Sequence, residues 1–346
     1  MALKLASLSD FAALDFDEVI DVRSPSEYAE DHVPGAISLP VLDDDERARV
    51  GTIYVQEDPF KARKIGAALV ARNAATHIEG PLADRPGGWR PLVYCWRGGQ
   101  RSNSFASILS QIGWRAEVIE GGYRSYRRMV VDMLHRDPLD QRFVLIDGGT
   151  GSAKTRLLHH IAAAGGQILD LEGYAAHRGS LFGQVGAAQP SQKAFESTIA
   201  MTLTKLDPAR PIFVEAESSK IGDLLIPPSL WLAMRASDYA EVTAPRAARA
   251  GHIVETYQDI VEDPERLGAT LDRLRRYHGH EVVDGWHDLA RAGAWHALAE
   301  ALIELHYDPR YKRIRRDAEP KALLELDDLS EDTLAGTARD LLARFG

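Results

Sequence analysis

The sequence predicts two consecutive α/β modules, the second ending in a helical part. Three observations point to this. Between residues 18 and 119 short apolar runs alternate with helical patterns, as in a small domain built on a parallel sheet. At 143 a further apolar run, FVLID, opens into a glycine-rich loop and then a helical stretch, LLHHIAAA. From about 255 the chain reads as helical and richly charged. A length of 346 residues suits two domains, since one usually takes about 100–200. The first module is expected over 1–130, a linker over 131–142 and the second module over 143–346.

Taken in order, residues 18–23 (EVIDVR) form a short buried strand, and 24–40, with Pro25, Pro34, Gly35 and Pro40, form a turn-rich connection. The acidic run at 43–46 reads as a solvated loop. A helix is expected over about 57–74, a proline- and glycine-punctuated loop over 81–91, and a second strand at 92–95, LVYC. Phe105, Ile108, Leu109 and Ile112 follow the i, i+3, i+4, i+7 pattern of an amphipathic helix over 104–112. A third strand at 116–119 closes on Gly121-Gly122, and a helical connector covers about 123–136. Beyond the FVLID strand, strands are expected at 167–171, 211–215, 230–234 and 240–242.

Composition removes several classes. With 45% hydrophobic and 27% charged residues the chain is neither disordered nor collagen-like. Cys95 is the one cysteine, so there is no internal disulfide and no cysteine-based zinc site. None of the 12 histidines falls in an HExxH pattern, and no zinc is expected. A net charge of -10 argues against coating nucleic acid non-specifically, because like charges repel within a Debye length of about 8 Å; it leaves room for local basic patches. The N-terminus lacks the apolar core of a signal peptide, and no run of about 18 apolar residues occurs. A soluble, cytoplasmic protein without a membrane partner is the expectation, with the oligomeric state left open.

The segment Tyr94-Cys95-Trp96-Arg97-Gly98-Gly99-Gln100-Arg101-Ser102 carries the first chemistry. It places the cysteine at the end of a buried strand, just before a helix. Two glycines let the backbone N–H groups turn inward, the helix start adds positive potential, and Arg97 and Arg101 add two permanent charges. The thiolate is the nucleophilic form of cysteine, and such a loop suits its attack on an electrophilic sulfur, selenium or phosphorus centre. Cys95, Arg97 and Arg101 are the candidate catalytic residues.

The second chemistry lies in Gly148-Gly149-Thr150-Gly151-Ser152-Ala153-Lys154-Thr155, between a strand and a helix. This is the context of a phosphate-binding P-loop: backbone amides wrap a diphosphate, Lys154 neutralises it and the Thr155 hydroxyl is placed for Mg²⁺. Ala153 stands where glycine is usual, which leaves open whether a full nucleoside triphosphate site survives. Glu215 and Glu217, two apart on one strand, share a face and are candidates for holding a metal-bound water or acting as a base. Arg178, in the stretch HRGSLFG, is a candidate anion contact.

Asp21-Val22-Arg23, Glu27-Tyr28 and His32-Val33-Pro34-Gly35-Ala36, followed by the cysteine loop, resemble a rhodanese-type sulfurtransferase domain. The resemblance implies that Cys95 carries a persulfide or its analogue, that Asp21 and Arg23 support the loop, and that His32 packs. The loop reads C-x5-R, one residue longer than the usual sulfurtransferase loop; that length also resembles phosphatases of related fold and would favour a phosphorus-containing donor.

The rhodanese-type domain with CWRGG-x-RS, followed by a P-loop domain with GGTGSAKT, HRGSLFG and VEAESSKIG, closely resembles the tRNA 2-selenouridine synthases. The resemblance implies a rhodanese-like α/β domain, a P-loop NTPase-like α/β domain and a helical C-terminal region. It implies replacement of the 2-thio sulfur of uridine at wobble position 34 of tRNA by selenium, with selenophosphate as donor. It also implies an S-geranyl-2-thiouridine intermediate made with geranyl diphosphate, whose diphosphate the glycine loop would hold. The tRNA would then meet arginine-rich patches: Arg124, Arg127 and Arg128; Arg273, Arg275 and Arg276; and Arg310, Lys312, Arg313, Arg315 and Arg316 beside Tyr311. A rhodanese-like phosphatase or sulfurtransferase fused to a P-loop kinase or ATPase is the alternative.

Overall fold

The computed structural model describes residues 2–186, 188–314 and 319–346. The chain divides into two compact units, Met1–Asp137 with Pro190–Lys205, and Pro138–Gln189 with Leu206–Gly346. Both are α/β. The sequence reading assigned 190–205 to the second module; here the helix Gln192–Leu203 belongs to the first unit. Its fully buried Ser197 donates a hydrogen bond to Asp31, and Glu196 pairs with Arg127.

The first unit is built on a five-stranded sheet in the order Ala2–Leu3, Glu117–Ile119, Pro91–Tyr94, Glu18–Asp21, Ile37–Ser38. Every pairing is parallel. A parallel sheet covered on both faces calls for apolar strands, and Ile20, Leu92, Val93 and Ile119 are fully buried. The run at 43–46 is not a loop. Asp43 caps the helix Asp44–Gln56, its carboxylate accepting from the Glu46 amide at 2.7 Å while Glu46 reaches back to the Asp43 amide. Acidic residues in a first turn favour the helix dipole, which is why this run starts a helix. Asp58 caps the next helix, Pro59–Glu79, and Gly113, at φ 110, ends the helix Gln100–Ile112.

At the centre of this unit lies a buried ion pair. Arg23 and Asp21 are 1% and 0% exposed, and the Arg23 guanidinium donates to both Asp21 carboxylate oxygens, to Oδ2 at 2.9 Å from Nε and 2.6 Å from Nη2, and to Oδ1 at 3.0 Å from Nε. The same Nη2 donates to the Asp31 carbonyl, and the guanidinium lies 4.0 Å from the centre of the Tyr123 ring.

The second unit carries a parallel five-stranded sheet in the order Ala322–Glu325, Asp238–Thr243, Phe143–Asp147, Ile212–Glu215, Gln167–Leu169. The edge strand Ala322–Glu325 lies in the part read as helical. The strand expected at 230–234 is instead the helix Pro228–Ala236. Proline at its start, good helix formers after it, and buried Leu230 and Met234 four residues apart explain the difference. Of the helices that follow, Pro264–Asp272, Arg275–Arg291 and Trp295–Leu302 pack around Leu271, Val283, Trp286 and Leu298, while Arg246–Thr256 sets Ala250 against Ala299 and Ile303. Among the described residues no helix is long and apolar enough to cross a membrane.

Removing Arg23 would strand a buried carboxylate. Arg23→Leu is expected to lower the stability of the first unit by about 3–5 kcal/mol in urea unfolding, and the double change Asp21→Leu, Arg23→Leu by less than the single. A double variant as unstable as the single would contradict this account.

Candidate active site

Cys95 follows the strand Pro91–Tyr94 and is 3% exposed, with its Sγ 3.2 Å from the Ser102 Oγ in the first turn of the helix Gln100–Ile112. The loop rests on the start of the next helix, Gly122–Val131. The Tyr123 amide donates to the Cys95 carbonyl at 2.9 Å and the Arg124 amide to the Trp96 carbonyl at 3.1 Å. Only glycine fits this contact. Gly98 has φ +64, and a Cβ there would stand 2.5 Å from the Ile119 carbonyl; one at Gly122, φ +56, would overlap the Cys95 carbonyl oxygen. Trp96 stacks on Tyr123 at 5.3 Å.

The two loop arginines differ. Arg97 is exposed. Arg101 is held by Glu27 at 2.8 Å, and Arg47 reaches the same carboxylate at 3.0 Å. Burial pushes Glu27 up, but the hydrogen bond and charge of Arg101 outweigh it and hold the carboxyl below its usual range. His32 stacks on Tyr28 at 3.8 Å and bonds its carbonyl through Nδ1 at 2.9 Å, a packing role.

In the second unit the strand Phe143–Asp147 leads through Gly148–Ala153 into the helix Lys154–Ala163. Gly151 has φ +83, and Ala153, which caps the helix, has φ 57. A left-handed alanine is strained by about 1–2 kcal/mol, so the loop keeps a glycine conformation without the glycine. Lys154 Nζ donates to the Gly148 carbonyl at 2.9 Å. Arg249 clamps the loop, donating to the Thr150 carbonyl at 2.7 Å while paired with Asp308 at 2.7 Å. The Asp147 carboxylate accepts from the Gly148 amide at 2.7 Å and from the Tyr311 hydroxyl at 3.2 Å. The loop lines a cleft of about 530 Å³ whose walls bring Lys154, Arg156, Arg178 and Arg310 together.

Three glutamates stand beside Lys154. The Thr155 hydroxyl donates to Glu172 at 3.0 Å. Glu215 ends its strand fully buried, with neither carboxylate oxygen hydrogen-bonded among the described residues, and Glu217 follows in the cleft wall rather than in the strand. Burial, then the neighbouring carboxylates, push Glu215 well above the usual range and raise Glu217 to about 8; burial also raises Glu172. The cluster therefore retains protons at neutral pH and is less negative than its formula. His252 and His306, also in the cleft wall, are lowered to about 4 by burial and by Arg156 and Arg310 respectively, so both are neutral near pH 7. Among the described residues no group of three or more His, Cys, Asp or Glu side chains is arranged to hold a metal ion.

Residues 141–330 match the family model described as the tRNA 2-selenouridine synthase AAA domain, and residues 4–129 match the rhodanese-like domain. The tRNA 2-selenouridine synthase of Aeromonas salmonicida is 37% identical over 340 residues, covering 97% of this chain and 84% of its own length. The chain belongs to the tRNA 2-selenouridine synthase family. Its members include the synthase of Nitrosomonas europaea, 37% identical over 302 residues (82% of this chain, 76% of the relative). That of Pseudomonas syringae pv. syringae is 30% identical over 338 residues (88% and 90%). A tRNA 2-selenouridine synthase is an enzyme, and the cysteine loop and the glycine loop of this chain both stand at carboxyl ends of sheet strands, the usual place for α/β sites.

Within this family member the cations marked for tRNA separate into several kinds. Arg124 and Arg128 are exposed, whereas Arg127 is committed to Glu196 and the Lys193 carbonyl. Arg273 is exposed, Arg275 pairs with Asp272 and Asp284, and Arg276 lies 4.5 Å from the Tyr277 ring centre. Arg310 turns into the cleft, 4.3 Å from the same ring. Arg178 lines the cleft too, paired with Asp259 at 2.9 Å and lying over Tyr257. Side chains of Lys312 and Arg313, and all of Arg315 and Arg316, lie outside the described residues. Glu172 and Arg249 went unread in the sequence. Glu172 had a signal, an acid just past a strand end in DLEGYA; Arg249 had none.

Glu217 yields a pH test. A carboxyl whose folded pKa lies above its unfolded value contributes stability that is present below 4.5 and lost as pH rises through about 8. Urea unfolding at both ends of that window should show the parent losing more stability with rising pH than Glu217→Gln. Equal slopes would contradict it.

Proposed function

We propose that this chain replaces the 2-thio sulfur of the tRNA wobble uridine with selenium from selenophosphate, through an S-geranyl-2-thiouridine made with geranyl diphosphate. The supporting observation is that one chain carries two different anion loops: one with the buried nucleophile Cys95 and one with Lys154 in a cationic cleft. Lys154, Arg178 and the glycine-loop amides would hold the diphosphate and stabilise it as it leaves the geranyl carbon. Sulfur alkylation turns the thiocarbonyl into a group that departs as a thiol, which is what selenium must displace. Cys95 would direct the donor, with Arg97, Arg101 and the loop amides around its phosphate-like end: the selenide-level selenium bonds to C2 as the C2–S bond breaks and geranyl thiol leaves, and water takes the phosphoryl group as orthophosphate when the P–Se bond breaks. Magnesium travelling with the diphosphate would meet the Thr155 hydroxyl and the diphosphate oxygens, with Glu172 alongside. The tRNA would be gripped through exposed arginines such as Arg124, Arg128 and Arg273.

Nucleoside mass spectrometry of tRNA tests the division of labour. Cys95→Ser is expected to lower 2-selenouridine at least about 100-fold while geranylated thiouridine persists. Lys154→Ala is expected to remove both products by a similar factor, about 100-fold, yet to convert tRNA supplied already geranylated. Normal selenation by Cys95→Ser, or normal geranylation by Lys154→Ala, would overturn the corresponding role.

A further inference from the structure

The cationic cleft adjoins a second cavity of opposite character. Apart from Thr150, which belongs to the glycine loop, every residue lining this recess is apolar or aromatic. Thr150, Ile253, Tyr257 and Tyr307 line both cavities and so mark the mouth. Leu298, Leu302 and Trp295 line the recess but not the cleft.

The two cavities share one wall at atomic contact. A Cβ added to Gly151 would lie 2.9 Å from Ile253 Cδ1, so the loop backbone sits directly on the recess. Tyr257 divides charge from hydrocarbon. Its hydroxyl is engaged by Ser180 Oγ at 2.9 Å, and Arg178, a cleft cation, lies 4.8 Å from the ring centre. A ligand spanning both would carry an anion at one end and an unadorned hydrocarbon at the other. A hydrocarbon suits the second half better than a nucleotide base, since past the hydroxyls of Thr150, Tyr257 and Tyr307 at the mouth the walls offer a base's ring nitrogens and amino groups only the Trp295 indole N–H.

We infer that this recess holds the isoprenoid chain of the diphosphate substrate, and that Trp295 sets the chain length it accepts. The inference rests on the reading of the glycine loop as a diphosphate site. Each further buried methylene strengthens binding, so affinity must grow with the chain until the recess is full. Trp295 is the largest side chain of the recess beyond its mouth, and its removal enlarges a space that now measures about 60 Å³.

The test is calorimetric titration of the full chain with inorganic diphosphate and with dimethylallyl, geranyl and farnesyl diphosphates. Geranyl diphosphate is expected to bind at least about tenfold more tightly than inorganic diphosphate. In Trp295→Ala the affinity ratio of farnesyl to geranyl diphosphate should rise at least about tenfold. Tight inorganic diphosphate binding that depends on Lys154 but gains nothing from the chain would overturn the recess and leave the diphosphate reading standing. Absence of Lys154-dependent diphosphate binding would overturn the diphosphate reading itself. An unchanged chain-length ratio in folded Trp295→Ala would overturn the length-setting role; where that variant does not fold, the parent series decides the recess.

Discussion

A guanidinium with no water around it holds the first unit together. Arg23 is buried against Asp21, and desolvating two charges is favourable only where geometry and further hydrogen bonds satisfy them. Here the Asp31 carbonyl accepts from the same guanidinium, and the Tyr123 ring lies beneath it. Tyr123 then carries the constraint outward: its hydroxyl donates to the Asp31 carboxylate at 2.6 Å and its amide to the Cys95 carbonyl. The position of the cysteine loop thus follows from the pairing of a buried charge. Burial raises the Asp31 carboxyl even though Tyr123 and Ser197 both donate to it, so this network sits close to the limit of what hydrogen bonds can offset.

The second unit meets the opposite problem. Its carboxylates are crowded against one another and withdrawn from water, and protons relieve that strain. Glu172, Glu215 and Glu217 are all shifted upward beside a single lysine. The cleft is left with Lys154, Arg156, Arg178 and Arg310 along its walls and glutamates that keep protons opposite them. Arg249 adds rigidity, since it ties the Thr150 carbonyl to Asp308 and fixes the loop before any ligand arrives. The strained Ala153 fits the same picture, a conformation imposed by the surroundings at the positive end of the helix dipole.

Both loops depend on backbone approaching backbone without an intervening Cβ, the cysteine loop at Gly98 against the Ile119 carbonyl and the glycine loop at Gly148 against that of Val242. Such contacts leave traces in sequence because only glycine permits them. Contacts between charged side chains leave none, because an arginine reads the same whether it faces solvent, an acid or a ring.

That difference separates what the sequence determined by itself from what only the tertiary structure decided. The two modules, the cysteine loop, the glycine loop and the buried strands were legible because each is specified by residues adjacent in the chain. The acidic run at 43–46 was misread because its capping box was taken for solvent exposure, and 230–234 because a short apolar run has no period of its own. Glu172 beside Thr155, Arg249 behind the loop, Arg127 on Glu196 and Arg310 in the cleft were decided by the fold. So was the membership of the helix Gln192–Leu203 in the first unit. The reason is the range of the forces: turns, caps and periodic burial act over a few residues, whereas charge pairing and burial join residues far apart in the chain, whose meeting no local pattern encodes.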